Sequence, residues 1–273
     1  MAFNDISLTS GMRSNLISLQ GTVDLLNRTQ ERLSTGKKVN SALDNPVSFF
    51  AAQGLSQRAS DLAALKDGMG QAIQTVTAAD AGIKGITALI ESAKGITQAA
   101  LSTSDTTARL SYATQFDGIA TQIQTLAQDS GYKGTNLLNN NSLSVIFNEA
   151  GTSSLTISGT AANAGVTLTA AGANWTTTDN TAITLANTEL TTATAGLRNT
   201  SSSLSSNLAI VNSRLDFTAA MVGTLTTGSD KLTLADMNEE GANMLMLQTR
   251  QSLSTSALSM SAQAAQSVLR LFQ

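Results

Sequence analysis

Cysteine and histidine are absent from this 273-residue sequence, proline occurs once, and aromatic residues make up only 4% of the chain. Without a thiol or an imidazole, the chain cannot form a disulfide, a Cys/His zinc site, a thiolate nucleophile or a Ser-His-Asp relay. Charge is also scarce, because 16 basic and 19 acidic residues are scattered along the chain and give a net charge of −3. We therefore expect no basic surface and no nucleic-acid partner.

Long hydrophobic runs are missing as well, because Ser, Thr, Gln and Asn interrupt every apolar stretch. No window of about 18 residues stays apolar, so we expect no membrane-spanning segment. The beginning of the chain has Asp5 where a secretory signal would have a basic residue, and it has no continuous apolar core. We expect no cleavable signal peptide, so that export would need another route.

Apolar residues repeat with helical spacing in most of the chain. Between residues 55 and 93, steps of three and four visit eleven apolar positions out of twelve, which predicts a long helix packed against partner helices. Six glycines, at positions 54, 68, 70, 82, 85 and 95, lie inside or beside this helix. Each glycine costs about 1 kcal/mol relative to alanine, so close packing against other helices must hold the segment.

Both ends of the chain carry apolar stripes and little charge. The first 33 residues have six apolar positions out of seven at coiled-coil spacing, and a second stripe begins at Met246. Such ends usually pack against a partner, although periodicity alone fits the core of a monomeric bundle equally well. We predict that subunit assembly uses Met12, Leu16, Leu19, Val23, Leu26, Leu33, Met246, Leu253, Met260 and Leu271.

Residues 34–46 separate the first two helical stripes. Gly36 suits the end of a helix, and Asp44 or Asn45 suits the N-cap of a helix that begins near Pro46. We interpret the segment as a structured connector whose main positions are Gly36, Asn40, Asp44, Asn45 and Pro46. Helix punctuation explains these residues as well as a special functional role does.

The middle of the chain combines helical and alternating patterns. A third helix is predicted over about 105–129, and helical spacing returns over about 185–227, after which Gly228 and Ser229 predict a break. Between these helices, over about 139–180, apolar residues alternate and predict short strands at Leu143, Val145, Phe147, Leu155, Ile157, Val166 and Leu168. The predicted fold is mainly α, with a small β-hairpin region in the middle.

No pattern for catalysis or cofactor binding is present. Asp236, Glu239 and Glu240 form one acidic turn, which is typical of dipole compensation at the start of a helix. Gly68 and Gly70 lack the third glycine and the preceding strand of a dinucleotide site. We therefore expect no enzyme activity, no cofactor and no metal site.

Three stretches of the chain match one known pattern. Residues 33–46, LSTGKKVNSALDNP, resemble a signature at the end of a first helix. Residues 116–120, FDGIA, and 131–138, GYKGTNLL, resemble a later helix and its turn, and residues 234–240, LADMNEE, with 268–273, VLRLFQ, resemble a closing helix. In this order the stretches are highly specific, and the sequence resembles a bacterial flagellin, in particular the short flagellins of alphaproteobacteria.

The resemblance implies a division of the chain. Residues 1–33 and 233–273 would form the two halves of an inner coiled coil, residues 34–46 the connector, and residues 47–232 a rod domain. In that domain the helices are expected at about 47–100, 105–129 and 185–227, with the β region at about 139–180. A long coiled-coil or helix-bundle rod formed by both chain ends is the expected architecture.

The resemblance also implies a function. Flagellins assemble into the helical filament that propels the cell, so the expected partners are further copies of the chain and sister flagellins, with an export chaperone, a filament cap and junction proteins. The expected location is the extracellular flagellum, reached through the flagellar type III export channel. A hook–filament junction protein is the alternative, and a helical adhesin or secreted effector would need a larger recognition domain than the β segment offers.

Overall fold

The computed structural model describes residues 10–161, 175–176 and 179–271, which divide into two compact units. The terminal unit contains the described residues up to Gln57 and from Leu225 onward, and the middle unit runs from Arg58 to Thr224. The boundaries between the two units, after Gln57 and after Thr224, lie inside long helices. The domain division expected from the sequence instead begins the rod domain at residue 47 and ends it at residue 232.

Helices account for most of the described chain, and the predicted mainly α class with a small β region is confirmed. The third predicted helix, over 105–129, agrees with the observed one to within a residue, whereas the helix predicted over 185–227 is longer at both ends. The helices are α1 (Ser10–Thr35), α2 (Pro46–Leu101), α3 (Thr106–Asp129), α4 (Thr181–Thr233) and α5 (Met237–Leu271).

A two-stranded antiparallel hairpin lies in the middle unit. Strand β1 (Leu143–Ile146) pairs with β2 (Ser154–Ile157), and Leu143 lies opposite Ile157. Val145 and Ile157 are buried, as the alternating pattern predicts for a strand with one face on the core. The strand predicted at Val166 and Leu168 lies outside the described residues.

The core of the middle unit follows the long apolar stripe of α2. Met69, Ile86 and Ile90 are fully buried in it, together with Phe116 of α3 and the single tryptophan, Trp175. The ring centroids of Phe116 and Trp175 lie 5.1 Å apart. This unit therefore has an apolar core of its own.

Two of the six glycines predicted to allow close packing do so. A Cβ on Gly82 would overlap the side chain of Ser130, and one on Gly85 would lie 2.8 Å from Leu126 Cδ2. A Cβ at Gly54, Gly68, Gly70 or Gly95 meets nothing within 4 Å.

The break predicted at Gly228 and Ser229 is wrong, because α4 continues through both residues to Thr233. A Cβ on Gly228 would lie 3.3 Å from Leu55 Cδ1, and Ser229 Oγ donates a 3.1 Å hydrogen bond to the carbonyl of Ala52. The two small residues let α4 approach the first turns of α2 within the terminal unit.

Candidate assembly surface

The terminal unit is built around α1 and α5, which pack against each other. Near the end of α1, Arg32 Nη1 donates to Glu240 Oε1 at 2.8 Å in the first turn of α5, so the helices are antiparallel. The side chain of Glu240 is only 9% exposed. The acidic turn predicted to compensate the helix dipole therefore also supplies the partner of a partly buried arginine.

The contact between α1 and α5 buries several polar side chains. Met12, Thr22 and Thr29 are buried in α1, and Glu240 and Leu247 are buried in α5. Thr22 Oγ1 donates to the carbonyl of Ser18 at 2.8 Å, so the hydroxyl is satisfied within its own helix. Buried threonines contribute less hydrophobic stabilisation than leucines would, so this helix pair is held less strongly than one with leucine at both positions.

Large apolar side chains lie instead on the solvent side of both helices. Ile17 and Leu25 are exposed on α1. On α5, Met246, Leu253 and Met260 are 58%, 66% and 66% exposed, and their spacing of seven residues places them on one face. We call the exposed residues Ile17, Leu25, Leu245, Met246, Leu253 and Met260 the outer faces of α1 and α5.

The residues predicted for subunit assembly are divided by the structure into different environments. Met12 is buried, and the other predicted residues of α1 are half-buried. Met246, Leu253 and Met260 are exposed, and the side chain of Leu271 lies outside the described residues. The less exposed side of α5 includes Glu240, Met244, Leu247, Gln251, Ser254 and Leu258.

Sequence reasoning missed Ile17, Leu25 and Leu245. Each residue lies next to the predicted stripe in the sequence, at a position that the heptad template leaves unassigned. An open groove of about 240 Å³ between α1 and α5 is lined by Leu25 and Met246 among others, which shows that the packing leaves apolar side chains uncovered.

The connector is held by local hydrogen bonds. Gly36 follows the last residue of α1 with φ of 70°, a conformation that glycine adopts without strain. Asp44 Oδ2 accepts hydrogen bonds of 2.9 Å from the backbone N–H groups of Ser41 and Asn40, which lower the pKa of Asp44. Asn45 is the N-cap of α2, because its Oδ1 accepts from the N–H of the third residue of that helix at 3.1 Å.

The connector also pairs with the link between α4 and α5. The N–H of Lys38 donates to the carbonyl of Thr233 at 2.7 Å, and the N–H of Ala235 donates to the carbonyl of Gly36 at 3.0 Å. These backbone bonds fix the end of α1 beside the beginning of α5 and so orient the helix pair.

A further apolar patch lies where the connector meets α2. Leu43 is 95% exposed, Val47 is 81% exposed, and Phe50 lies one turn beyond Val47 on the same side of α2 and is also exposed. We call these three residues the connector patch. The terminal unit thus exposes large apolar side chains on α1, on α5 and at the start of α2.

The described residues contain no cluster of three or more acidic side chains placed to hold a metal ion. Across the same ranges, no helix combines the length and hydropathy that a membrane crossing requires.

Comparison with known proteins gives consistent matches. Residues 6–142 match the family model of the bacterial flagellin N-terminal helical region. The chain is 32% identical to flagellin FljK and 31% identical to flagellin FljM, both of Caulobacter vibrioides, over its full length and all of each relative. It is 28% identical to a flagellin of Brucella melitensis over 98% of this chain and 99% of the relative. A crystal structure of Bacillus cereus flagellin covers 55% of this chain and 88% of that chain, with 17% identity and a TM-score of 0.49.

Proposed function

Because the chain belongs to the bacterial flagellin family and is a structural subunit of the flagellar filament, we propose that the outer faces of α1 and α5 form its contacts with other copies. The observation that carries this proposal is that polar side chains occupy buried positions in the helix pair while several large apolar side chains stay exposed. Thr22 and Thr29 are buried together with Met12 and Leu247, whereas the side chains of the outer faces of α1 and α5 face solvent. A helix pair that functioned alone would be expected to have the opposite arrangement.

The magnitude of the exposed surface supports this assignment. The six side chains of the outer faces are each about half to two-thirds exposed. At about 25 cal/mol per Å², burying the exposed part of each contributes roughly 1–2 kcal/mol, or about 6–12 kcal/mol for each subunit. Free energy of this size offsets a large part of the roughly 4–15 kcal/mol that association costs in translational and rotational freedom, so these side chains would supply a substantial share of a polymer contact.

The middle unit provides the contrast that favours assembly over a monomeric bundle core. Its apolar stripe is buried against residues of the same chain, and Met69, Ile86 and Phe116 have no exposed surface. In the terminal unit the stripe beginning at Met246 stays exposed in the single chain. The apolar face of the helix is therefore covered by the same chain in the middle unit, whereas in the terminal unit no described residue covers the face that begins at Met246.

The half-buried stripe of α1 belongs to the same proposal. Leu16, Leu19, Val23, Leu26 and Leu33 keep part of their surface accessible, so they are available to a neighbouring subunit at the edges of the α1–α5 contact. Leu271 belongs to the same proposed set, and Met12, which is buried in the single chain, would support the contact by stabilising α1 rather than by contacting another copy.

We extend the proposal to the domain division and the connector. Residues 1–33 and 233–273 would act as the inner assembly domain and residues 47–232 as the rod domain. Gly36, Asn40, Asp44, Asn45 and Pro46 would keep the connector in the conformation that holds α1 beside α5. The hydrogen bonds of the connector support this role, since they join it to residues 233–235.

The export route is a further part of the proposal. The chain would leave the cell through the flagellar type III channel with an export chaperone and would add to the filament beneath a cap, beyond junction proteins. A chain without cysteine and with one proline can unfold and refold without disulfide exchange and with little proline isomerisation. Retention of the chain inside cells that lack a functional flagellar export gate would test this route.

Seeded growth tests the assembly function directly. Purified full-length chain is mixed with short filament fragments, and growth is followed by electron microscopy. Long filaments extending from the seeds are expected. Seeds that stay at their starting length, or that gain only a short terminal segment, would contradict the proposal, and the short segment would instead indicate a junction protein.

A further inference from the structure

Methionine is concentrated in the helix with the exposed apolar face. The chain has eight methionines, and four of them, Met237, Met244, Met246 and Met260, lie within the 35 residues of α5. Met246 and Met260 are 58% and 66% exposed. Because cysteine is absent, methionine thioethers are the sulfur groups of this chain that react with oxidants.

We propose that Met246 and Met260 are sites of reversible oxidation by hydrogen peroxide or a similar two-electron oxidant, and that their oxidation prevents the free subunit from joining the filament. The thioether sulfur attacks one peroxide oxygen and breaks the O–O bond. A sulfur–oxygen bond forms, a proton moves to the departing oxygen, and that oxygen leaves as water. The sulfur is oxidised by two electrons and the peroxide is reduced by two.

The effect on assembly follows from where the oxygen is added. A sulfoxide is strongly polar, and burying it without a hydrogen-bond donor costs free energy that a thioether does not. Met246 and Met260 share one face of α5 with Leu253, the face proposed above to contact other copies. This inference rests on the proposed assembly function. It adds that oxidation of the two methionines would stop the same surface from binding another copy.

Burial protects other methionines of the same chain and provides an internal reference. Met69 has no exposed surface in the core of the middle unit, and Met12 is 9% exposed. Access of peroxide to these sulfurs requires local opening of the fold, so they should react later than Met246 and Met260, and later than Met237, which is 47% exposed. The middle unit would keep its structure while the face of α5 is modified.

The experiment compares free subunits with assembled filaments. Both are treated with hydrogen peroxide, the reaction is stopped with free methionine, and oxidation of each methionine is measured by peptide mass spectrometry. In free subunits, Met246 and Met260 should react at least about tenfold faster than Met69. In filaments the same two residues should be protected.

Elongation of seeds by the oxidised subunit measures the consequence. Elongation should fall by at least about tenfold, and treatment with the two methionine sulfoxide reductases, one for each epimer, should restore it. The double variant Met246→Leu/Met260→Leu keeps the apolar face and should elongate equally with and without peroxide. The matched control Met244→Leu, which changes a half-buried methionine two residues away, should remain sensitive.

Full elongation by wild-type subunit oxidised at both residues would overturn the inference, as would equal peroxide sensitivity of the double variant. If the double variant does not elongate untreated, chain in which norleucine replaces every methionine provides the sulfur-free comparison, and its inhibition by peroxide would also overturn the inference. Untreated wild-type subunit that fails to elongate would instead contradict the proposed function. The two failures are therefore distinguishable.

Discussion

Replacing Leu253 by aspartate separates a role in assembly from a role in the fold of the single chain. The side chain is 66% exposed on α5, so Leu253→Asp is expected to change the stability of the free subunit by no more than about 0.5 kcal/mol. In the filament the same carboxylate would be buried in each copy among apolar side chains, and the nearest cation of its own helix is Arg250, one turn earlier on α5. The substitution should therefore act almost entirely on polymerisation.

The magnitude follows from the cost of an unpaired buried charge. Leaving such a charge in a contact costs about 3–5 kcal/mol, and the exposed part of the leucine no longer contributes its burial energy. The two terms together come to about 4–7 kcal/mol, and since each 1.4 kcal/mol is a factor of ten, the critical concentration for elongation should rise by roughly three to five orders of magnitude. Burial raises the pKa of a carboxyl group, so acidification should relieve part of the block by protonating the aspartate.

Critical concentration is measured by sedimentation after seeded growth, with Leu253→Met as the matched variant that keeps the apolar surface. Fluorescence of Trp175, which is buried in the middle unit, checks that this unit remains folded. Polymerisation of Leu253→Asp at the wild-type concentration would refute the reasoning. Loss of polymerisation in Leu253→Met to the same degree would show that this position requires leucine itself rather than an apolar surface.

Three further predictions test the fold, the ends and the connector. Gly82→Ala should destabilise the middle unit by about 1–3 kcal/mol in denaturant titration, because the added Cβ would overlap the side chain of Ser130. Gly95→Ala, which has open space around it, should instead stabilise α2 by about 0.5–1 kcal/mol. Equal effects of the two substitutions would contradict the packing described for Gly82. Limited proteolysis of free subunit should remove roughly the first and last 40 residues and leave about 45–225, as mass spectrometry would show, and intact ends would count against the weak helix pair. The pKa of Asp44 is lowered from 3.8 in the folded chain, so the stability that this carboxylate gives to the connector is complete above pH 3.8 and is lost as the pH falls through the lowered pKa. Protection of the connector amides from hydrogen exchange should therefore decline in acid. An identical pH profile in Asp44→Asn would refute this prediction.

The helix ends and the stripes were predictable because they depend on local chemistry. Gly36 ends α1 and Pro46 begins α2, since a left-handed glycine and a proline act on their own backbone. The break expected at Gly228 was wrong for the opposite reason. Gly228 lies against Leu55, where a larger residue would not fit as closely. A glycine needed for close packing and a glycine that ends a helix cannot be distinguished from the sequence alone.

The candidate assembly surface was predictable only in part. The stripe through Leu253 was visible from its spacing, but spacing alone does not distinguish a face buried within the chain from one left for other copies. Burial of Thr22 and Thr29 gave no signal because polar residues are ordinarily assigned to the solvent side. The pairing of Arg32 with Glu240 joins residues more than 200 positions apart, and such contacts leave no trace in a local pattern.

The most direct test measures whether the outer face of α5 is covered in the polymer. Because the chain has no cysteine, Leu253→Cys introduces a single thiol, and its rate of reaction with a maleimide can be compared in free subunit, in preformed filament and in denatured chain. The account predicts rapid labelling of the free subunit, close to the denatured rate, and strong protection in the filament. Equal labelling of free subunit and filament would contradict it.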